Sequence, residues 1–112
     1  MSDCLFCRIV AGEVPATVVA ETERTIAFRD ISPQAPTHVL VVPRDHHADL
    51  AACADADPGL LADLLAAAAS VARVEGLDGG YRVLTNTGPD AGQTVHHLQL
   101  HVLGGRPLGA LG

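Results

Sequence analysis

The sequence predicts an α+β domain in which a mostly antiparallel sheet of five strands is covered by one long and one short helix. Short segments rich in Val and other apolar residues recur between turn residues, which is typical of a meander of strands. One stretch rich in Leu and Ala, long enough for several helical turns, interrupts them. The length of 112 residues corresponds to a single domain, which we place at 1–112.

The strands are predicted from alternating or continuously apolar segments bounded by turn residues. They cover residues 16–21, 25–29, 38–42, 81–86 and 96–103. Between residues 30 and 37 two prolines favour an irregular connection, and Pro43 ends the third strand.

Two helices complete the predicted elements. The short one covers 4–10, with Asp3 as its N-cap and Gly12 just beyond its end. The long one opens at Asp57-Pro58-Gly59 and continues to about residue 75, where Gly76 ends it. We expect residues 107–112 to form a mobile tail.

Composition excludes several classes of function. A formal net charge of −6 argues against a non-specific nucleic-acid coat, which needs a basic stripe. No apolar run is long enough to span a membrane, and no signal peptide opens the chain, so we expect a cytoplasmic protein. With no Trp, one Tyr and two Phe, the core must rest on smaller aliphatic side chains.

Residues 95–102 alternate in a way that is typical of a strand with two different faces. The period of two predicts Val95, His97, Gln99 and His101 on one face, with His96 on the other, where we interpret it as structural. Two imidazoles would then flank an amide, just after a glycine-containing loop that can approach a phosphate. An imidazole in the middle would be a nucleophile. Gln99 is neither a nucleophile nor a base near neutral pH.

Cys4 and Cys7 form a Cys-x-x-Cys pair, and their spacing on a short helix lets both thiols face one point. In a cytoplasmic protein such a pair indicates a metal site or a redox site. No βαβ pattern surrounds it, which disfavours a thioredoxin-like site. Cys53 is interpreted as a small buried hydrophobe and His47 as a solvated residue.

Two segments carry a resemblance to a known family. They read DISPQAPTH at 30–38 and GQTVHHLQLHVLGGR at 92–106. Both are similar to motifs of the histidine-triad (HIT) superfamily, and most closely to its nucleotide-binding Hint branch. The resemblance implies a homodimer in which two five-stranded sheets join into one of ten strands. It also implies a purine nucleotide ligand, with cleavage at the α-phosphate of a nucleoside phosphoramidate.

The resemblance assigns catalytic positions to His38, His97, Gln99 and His101. The middle histidine of the family attacks phosphorus, and Gln99 stands at that position. Losing a covalent nucleophile can cost on the order of 10⁶ in rate. Binding would survive, because an amide still exchanges hydrogen bonds with a phosphate. The glutamine is consistent with a naturally altered site or with an engineered substitution that traps substrate.

The resemblance also implies the residues that would bind a nucleotide around the base, ribose and phosphate. They are Leu5, Phe6, Phe28, Asp30, Ile31, Asn86, Gly92, Thr94, Val95, Gln99 and His101. Asp30 would accept hydrogen bonds from the ribose, and the apolar members would enclose the base. Without the motif, core packing would be the safer interpretation of Phe6, Phe28 and Ile31.

Some bacterial members of the family bind zinc through a Cys-x-x-Cys pair and two histidines. The matching residues here are Cys4, Cys7, His46 and His97. Two thiolates and two imidazoles are a common tetrahedral zinc set. With zinc bound, His97 would be a structural ligand that braces its strand.

Three hypotheses therefore follow from the sequence. The chain is a phosphoramidate hydrolase slowed by Gln99, a nucleotide sensor without turnover, or a zinc-braced interaction module.

Overall fold

The computed structural model describes residues 3–111. Its helices are α1 (Leu5–Val10), α2 (Leu50–Ala56) and α3 (Pro58–Val74), and a short 3₁₀ turn covers Pro89–Ala91. Its strands are β1 (Val18–Glu21), β2 (Thr25–Arg29), β3 (Thr37–Pro43), β4 (Tyr81–Leu84) and β5 (Leu100–Gly104). They form one sheet in the order β1-β2-β3-β5-β4, with antiparallel neighbours throughout. The predicted α+β class and five-stranded antiparallel sheet are confirmed.

The predicted pair of helices was incomplete, because α2 was missed. Its Ala-rich segment has a high helix propensity, and Asp49 caps it by accepting a hydrogen bond from the Ala52 amide at 2.9 Å. The predicted cap of α1 was also wrong. Cys4 occupies the N-cap instead of Asp3, and its Sγ accepts a hydrogen bond from the Cys7 amide at 3.4 Å.

The last strand begins at Leu100 and not at residue 96 as predicted. The Leu98 amide donates to the His47 carbonyl oxygen at 2.7 Å, and the Gln99 carbonyl oxygen accepts from the Thr85 hydroxyl at 2.8 Å. Because these backbone groups are used outside the sheet, pairing with β3 starts at Leu100 opposite Val41. β1 begins at Val18 and β4 ends at Leu84, so both are shorter than predicted.

Both faces of the sheet carry an apolar layer. On one face, α3 packs through its buried Leu60, Leu64, Ala68 and Val71 against inward residues of the central strands such as Val39 and Val102. On the opposite face, a smaller cluster contains Phe6 of α1 with Ile26, Phe28, Leu40 and Val42. The alternation along β3 divides its side chains between these two layers, so α1 and α3 lie on opposite sides of the sheet.

The long helix is capped by residues that also tie it to the strands. The Asp57 carboxylate accepts from the Leu60 amide at 3.2 Å and forms an ion pair with Arg24 of the β1–β2 turn. Glu75, at the other end of α3, accepts two hydrogen bonds from Arg29 of β2. α3 is therefore anchored at both ends.

The region after β5 runs back beside β4, where the Arg82 guanidinium donates to the Gly109 carbonyl oxygen at 2.9 Å. The mobility expected for the tail remains a prediction, and residue 112 lies outside the described residues. Across residues 3–111, no helix combines the length and the hydropathy that a membrane span requires.

The backbone conformation of Gly105 predicts that a substitution there lowers the stability of the fold. Its φ of +96° is rarely adopted by other residues, and a Cβ built there would lie 2.9 Å from the Pro36 Cβ. We expect Gly105→Ala to lower the free energy of unfolding by about 2–4 kcal/mol, from backbone strain and overpacking. Gly109→Ala is the matched control, since its Cβ would meet nothing within 4 Å. Urea denaturation measures both, and equal losses in the two variants would contradict the prediction.

Candidate functional site

A cavity of about 600 Å³ opens on the face of the sheet that carries α1. Its floor contains Phe28, Leu40 and His101, which lie side by side because Phe28 pairs with Leu40 and Leu40 pairs with His101 across three strands. One wall is formed by Leu5, Phe6 and Ile9, which all belong to α1. The volume lies in the range that small-molecule sites occupy.

Most residues that the resemblance assigns to a nucleotide site line this cavity. They are Leu5, Phe6, Phe28, Asp30, Ile31, Thr94, Val95, Gln99 and His101. Asn86, which is half-buried, and Gly92, which is exposed, do not line it. The cavity also involves residues that the sequence analysis did not name, including Thr17 and Leu40. Leu40 could have been predicted from the sequence, because it lies two residues from His38 and therefore on the same face of β3.

A chain of hydrogen bonds fixes the imidazole of His101, which lines the cavity, and that of His38, which does not. The Gln34 backbone amide donates to His38 Nδ1 at 3.0 Å, so neutral His38 carries its proton on Nε2. That nitrogen lies 2.9 Å from His101 Nδ1 and 3.5 Å from an Asp30 carboxylate oxygen. His38 thus donates to His101, and neutral His101 presents its own Nε2–H as a donor.

The same geometry disfavours a metal ion at this group of Asp30, His38 and His101, although their candidate ligand atoms lie within 4.8 Å of one another. A ligating imidazole nitrogen needs a free electron pair, and the His38 Nε2 that faces the group holds the proton. The arrangement instead suits hydrogen bonding to an anion.

Burial favours the neutral form of both imidazoles. Desolvation lowers the pKa of His101, neighbouring His38 lowers it further, and the Asp30 carboxylate partly opposes both effects. Desolvation likewise lowers the pKa of His38, again opposed by Asp30. An anionic ligand would favour protonation of the pair by adding negative charge.

Gln99 lines the cavity between these imidazoles and the loop before β5. Its side chain is 8% exposed, and its Oε1 is buried with no hydrogen-bond partner among the described residues. A buried amide oxygen without a partner carries a desolvation cost that a bound donor would remove. The amide is therefore placed to contact a ligand, yet it offers no electron pair for covalent attack.

His97 does not line the cavity with Gln99 and His101, because the chain bends before β5 begins. It is completely buried beside Cys4, Cys7 and His46. Its Nδ1 lies 3.3 Å from Cys4 Sγ and 3.5 Å from Cys7 Sγ, and Cys7 Sγ lies 3.3 Å from His46 Nδ1. His96 is exposed, and His47 is half-buried.

This second cluster fits a tetrahedral metal ion. With zinc–sulfur and zinc–nitrogen bonds of about 2.3 and 2.0 Å, tetrahedral ligands place sulfur and nitrogen about 3.5 Å apart, close to the separations here. His97 Nε2 lies 2.9 Å from the Pro43 carbonyl oxygen, so it holds the ring proton and leaves the Nδ1 electron pair directed at the thiols. Two sulfur and two nitrogen donors suit zinc.

Gln93 is a buried residue of the loop before β5 that was not predicted from the sequence. Its Oε1 accepts from the Gly88 amide at 2.9 Å, and its Nε2 donates to the carbonyl oxygens of Ala48 and Val95. Gln93 therefore connects the loop before β5 to the segment that carries His46. Its position in the GQTV segment, which carries part of the family resemblance, could have identified it from the sequence.

Comparison with known proteins identifies the family. The model of the HIT domain matches residues 11–108, which is most of the chain. The chain belongs to the HIT family. A 14 kDa zinc-binding protein of Zea mays is 46% identical over 109 residues, covering 96% of this chain and 85% of that protein.

Solved structures of HIT proteins share this fold closely. A HIT family hydrolase from Clostridium thermocellum is 43% identical, with a TM-score of 0.93 over 99% of this chain and 97% of that one. A histidine triad nucleotide-binding protein from Candida albicans is 35% identical, with a TM-score of 0.83 over 98% of this chain and 87% of that one.

The lowered pKa values of His38 and His101 predict that acid destabilises the fold. An unfolded histidine, with a pKa of about 6.5, binds a proton before the folded one does, so acid favours unfolding. The contribution is complete above the unfolded pKa and is lost as the pH falls through the folded one. We expect the free energy of unfolding to fall between about pH 7.5 and 5.5, and His101→Gln to flatten this dependence.

Chemical denaturation across this pH range measures the effect. His96→Gln is the matched control, because that imidazole is exposed. An unchanged pH slope in His101→Gln would refute the assignment.

Proposed function

We propose that this HIT protein binds a purine nucleotide in the cavity below α1. The observation that carries the proposal is the division of one cavity into an apolar end and a polar end. Leu5, Phe6 and Ile31 offer surfaces for a planar base, while Gln99 and His101 offer donors for a phosphate. The Candida albicans neighbour is named a nucleotide-binding protein, which supports this ligand class.

Asp30 is suited to the ribose. It lines the same cavity, and one of its oxygens already accepts from the Ser32 amide at 2.8 Å. A carboxylate held in this way has further electron pairs for hydroxyl donors. Thr94 and Val95 also line the cavity, and a hydroxyl and backbone amides of this segment can complete a phosphate site.

The reaction that fits this site is hydrolysis of a nucleoside phosphoramidate or a related bond at the α-phosphate. With Gln99 in place, water must attack phosphorus directly as the leaving group departs, which makes the reaction slow. A histidine there would attack phosphorus and form a nucleotidyl intermediate. His101 directs Nε2 toward a ligand, and once the anion favours its protonation it can donate to a leaving group. Gln99 leaves binding and proton donation in place and removes the nucleophile. The alternative is a nucleotide sensor, favoured by the same residue.

Zinc is proposed as the ion of the Cys4, Cys7, His46 and His97 cluster, with a structural role. Four protein donors leave no open position for substrate, which is the pattern of structural zinc sites. The maize relative is named a zinc-binding protein, which supports this metal. The third hypothesis for the chain's role is an interaction module braced by this metal.

We also propose a cytoplasmic homodimer. β4 lies at an edge of the sheet and exposes Tyr81 and Val83, which makes it available to pair with a second copy. Such pairing would produce the ten-stranded sheet that the family resemblance implies. Sedimentation velocity should give about twice the mass of one 11.6 kDa chain, whereas a monomer at micromolar concentration would exclude this assembly.

Replacing Gln99 tests the proposed reaction. We expect Gln99→His to raise the single-turnover rate on adenosine phosphoramidate by at least about 10³-fold, because a covalent route becomes available. Mass spectrometry of the quenched variant should detect a nucleotidyl adduct that is lacking in the parent.

Gln99→Asn is the matched control, since it keeps an amide and adds no nucleophile. If the parent hydrolyses the substrate slowly but faster than the blank, the result supports the impaired enzyme. If the parent shows no hydrolysis above the blank, the result supports the sensor. Failure of AMP to bind the parent would contradict both.

The zinc assignment predicts a selective loss of metal. We expect Cys4→Ala to purify with much less zinc than the parent, because one of four ligands is missing. Cys53→Ala is the matched control, since that buried thiol lies in the core beside α3 and outside the cluster. Elemental analysis of the purified proteins measures their zinc content. An unchanged zinc content in Cys4→Ala would refute the site.

A further inference from the structure

The two proposed sites share one short helix. Cys4 and Cys7 point into the metal cluster, while Leu5 and Phe6, which lie between them in sequence, line the nucleotide cavity. The Phe6 ring is 5% exposed and packs edge-on against Phe28 on the cavity floor, with ring centroids 5.5 Å apart. It also packs edge-on against the imidazole of His97, at 5.9 Å. One side chain therefore contacts both a cavity residue and a candidate metal ligand.

α1 has little intrinsic stability. It contains six residues, and isolated helices below about 12 residues are marginal in water. Among residues 3–111, side-chain hydrogen bonds link Cys4 and Cys7 to His97 and His46, which lie far away in the sequence. Phe6, Ile9 and Val10 also pack in the apolar cluster on the sheet. The thiol–imidazole cluster therefore contributes to the position of this cavity wall.

The cap strengthens this dependence. Cys4 Sγ accepts the Cys7 amide at the start of α1, and the same sulfur faces the metal cluster. A metal bound there would convert the thiol to a thiolate, which is a better acceptor for that amide. Metal binding would thus order the first turn of the helix that carries Leu5 and Phe6.

We propose that metal binding at Cys4 and Cys7 and base binding at Leu5 and Phe6 are coupled through α1. This proposal rests on the proposed function of both sites and adds a relation between them. Cys4 and Cys7 act as positioning residues for the base wall, so the metal-free chain has a loosened wall and a weaker affinity for purine nucleotides. By linkage, a bound nucleotide must strengthen zinc binding by the same factor.

Calorimetric titration of AMP into the zinc-loaded and metal-free chain tests the coupling. Ribose 5-phosphate is the matched ligand, because it has the sugar and phosphate of AMP and no base to contact α1. We expect removal of zinc to weaken AMP binding about tenfold or more and to change ribose 5-phosphate binding much less. Equal AMP affinities in the two forms would overturn the coupling and leave nucleotide binding intact. Absence of AMP binding in both forms would instead refute the proposed function.

A second measurement covers the case in which the metal-free chain does not fold. Competition with a chelator measures the zinc affinity of the loaded protein. The measurement is made without ligand and with AMP or ribose 5-phosphate, each at a concentration that saturates the protein to the same degree. AMP should strengthen zinc binding more than ribose 5-phosphate does. Equal strengthening by both would mean that the ligands stabilise the whole fold without acting through α1, which contradicts the proposal.

Discussion

The position of β3 in the middle of the sheet is the constraint on which both sites depend. This strand pairs with β2 on one side and β5 on the other, and most of its side chains are buried. Near its start it holds His38 beside His101, and at its end the Pro43 carbonyl orients His97. The proposed nucleotide cavity and the proposed metal site are thus anchored at opposite ends of one strand.

The bend before β5 separates histidines that the sequence presents as one row. His97 leaves the sheet, because the backbone around it bonds to other parts of the chain, and it enters the metal cluster. His101 stays on β5 and faces the cavity, with Gln99 just before the strand. Of the two imidazoles predicted on one face, His97 is thus suited to a structural role and His101 to ligand binding. The proposed loss of cleavage rests on Gln99.

Local chemistry made much of the fold and the candidate site predictable. Alternating Val and Leu residues identified the strands. The Cys-x-x-Cys pair, together with the family resemblance, predicted the group of Cys4, Cys7, His46 and His97 that the structure brings together. Tertiary contacts account for what was missed. The Leu98 amide bonds to the His47 carbonyl, and Cys4 caps α1, and neither contact leaves a pattern in the sequence. The link made by Gln93 likewise depends on a distant carbonyl, that of Ala48.

We propose that the cavity is a nucleotide site with an amide at the position of the nucleophile. A crystal structure of the zinc-loaded chain with AMP tests this proposal. We predict the base against Phe6 and Ile31, and the phosphate within hydrogen-bond distance of Gln99 Nε2 and His101 Nε2, with no covalent bond to the protein. AMP bound elsewhere, or a phosphate turned away from Gln99, would contradict the account.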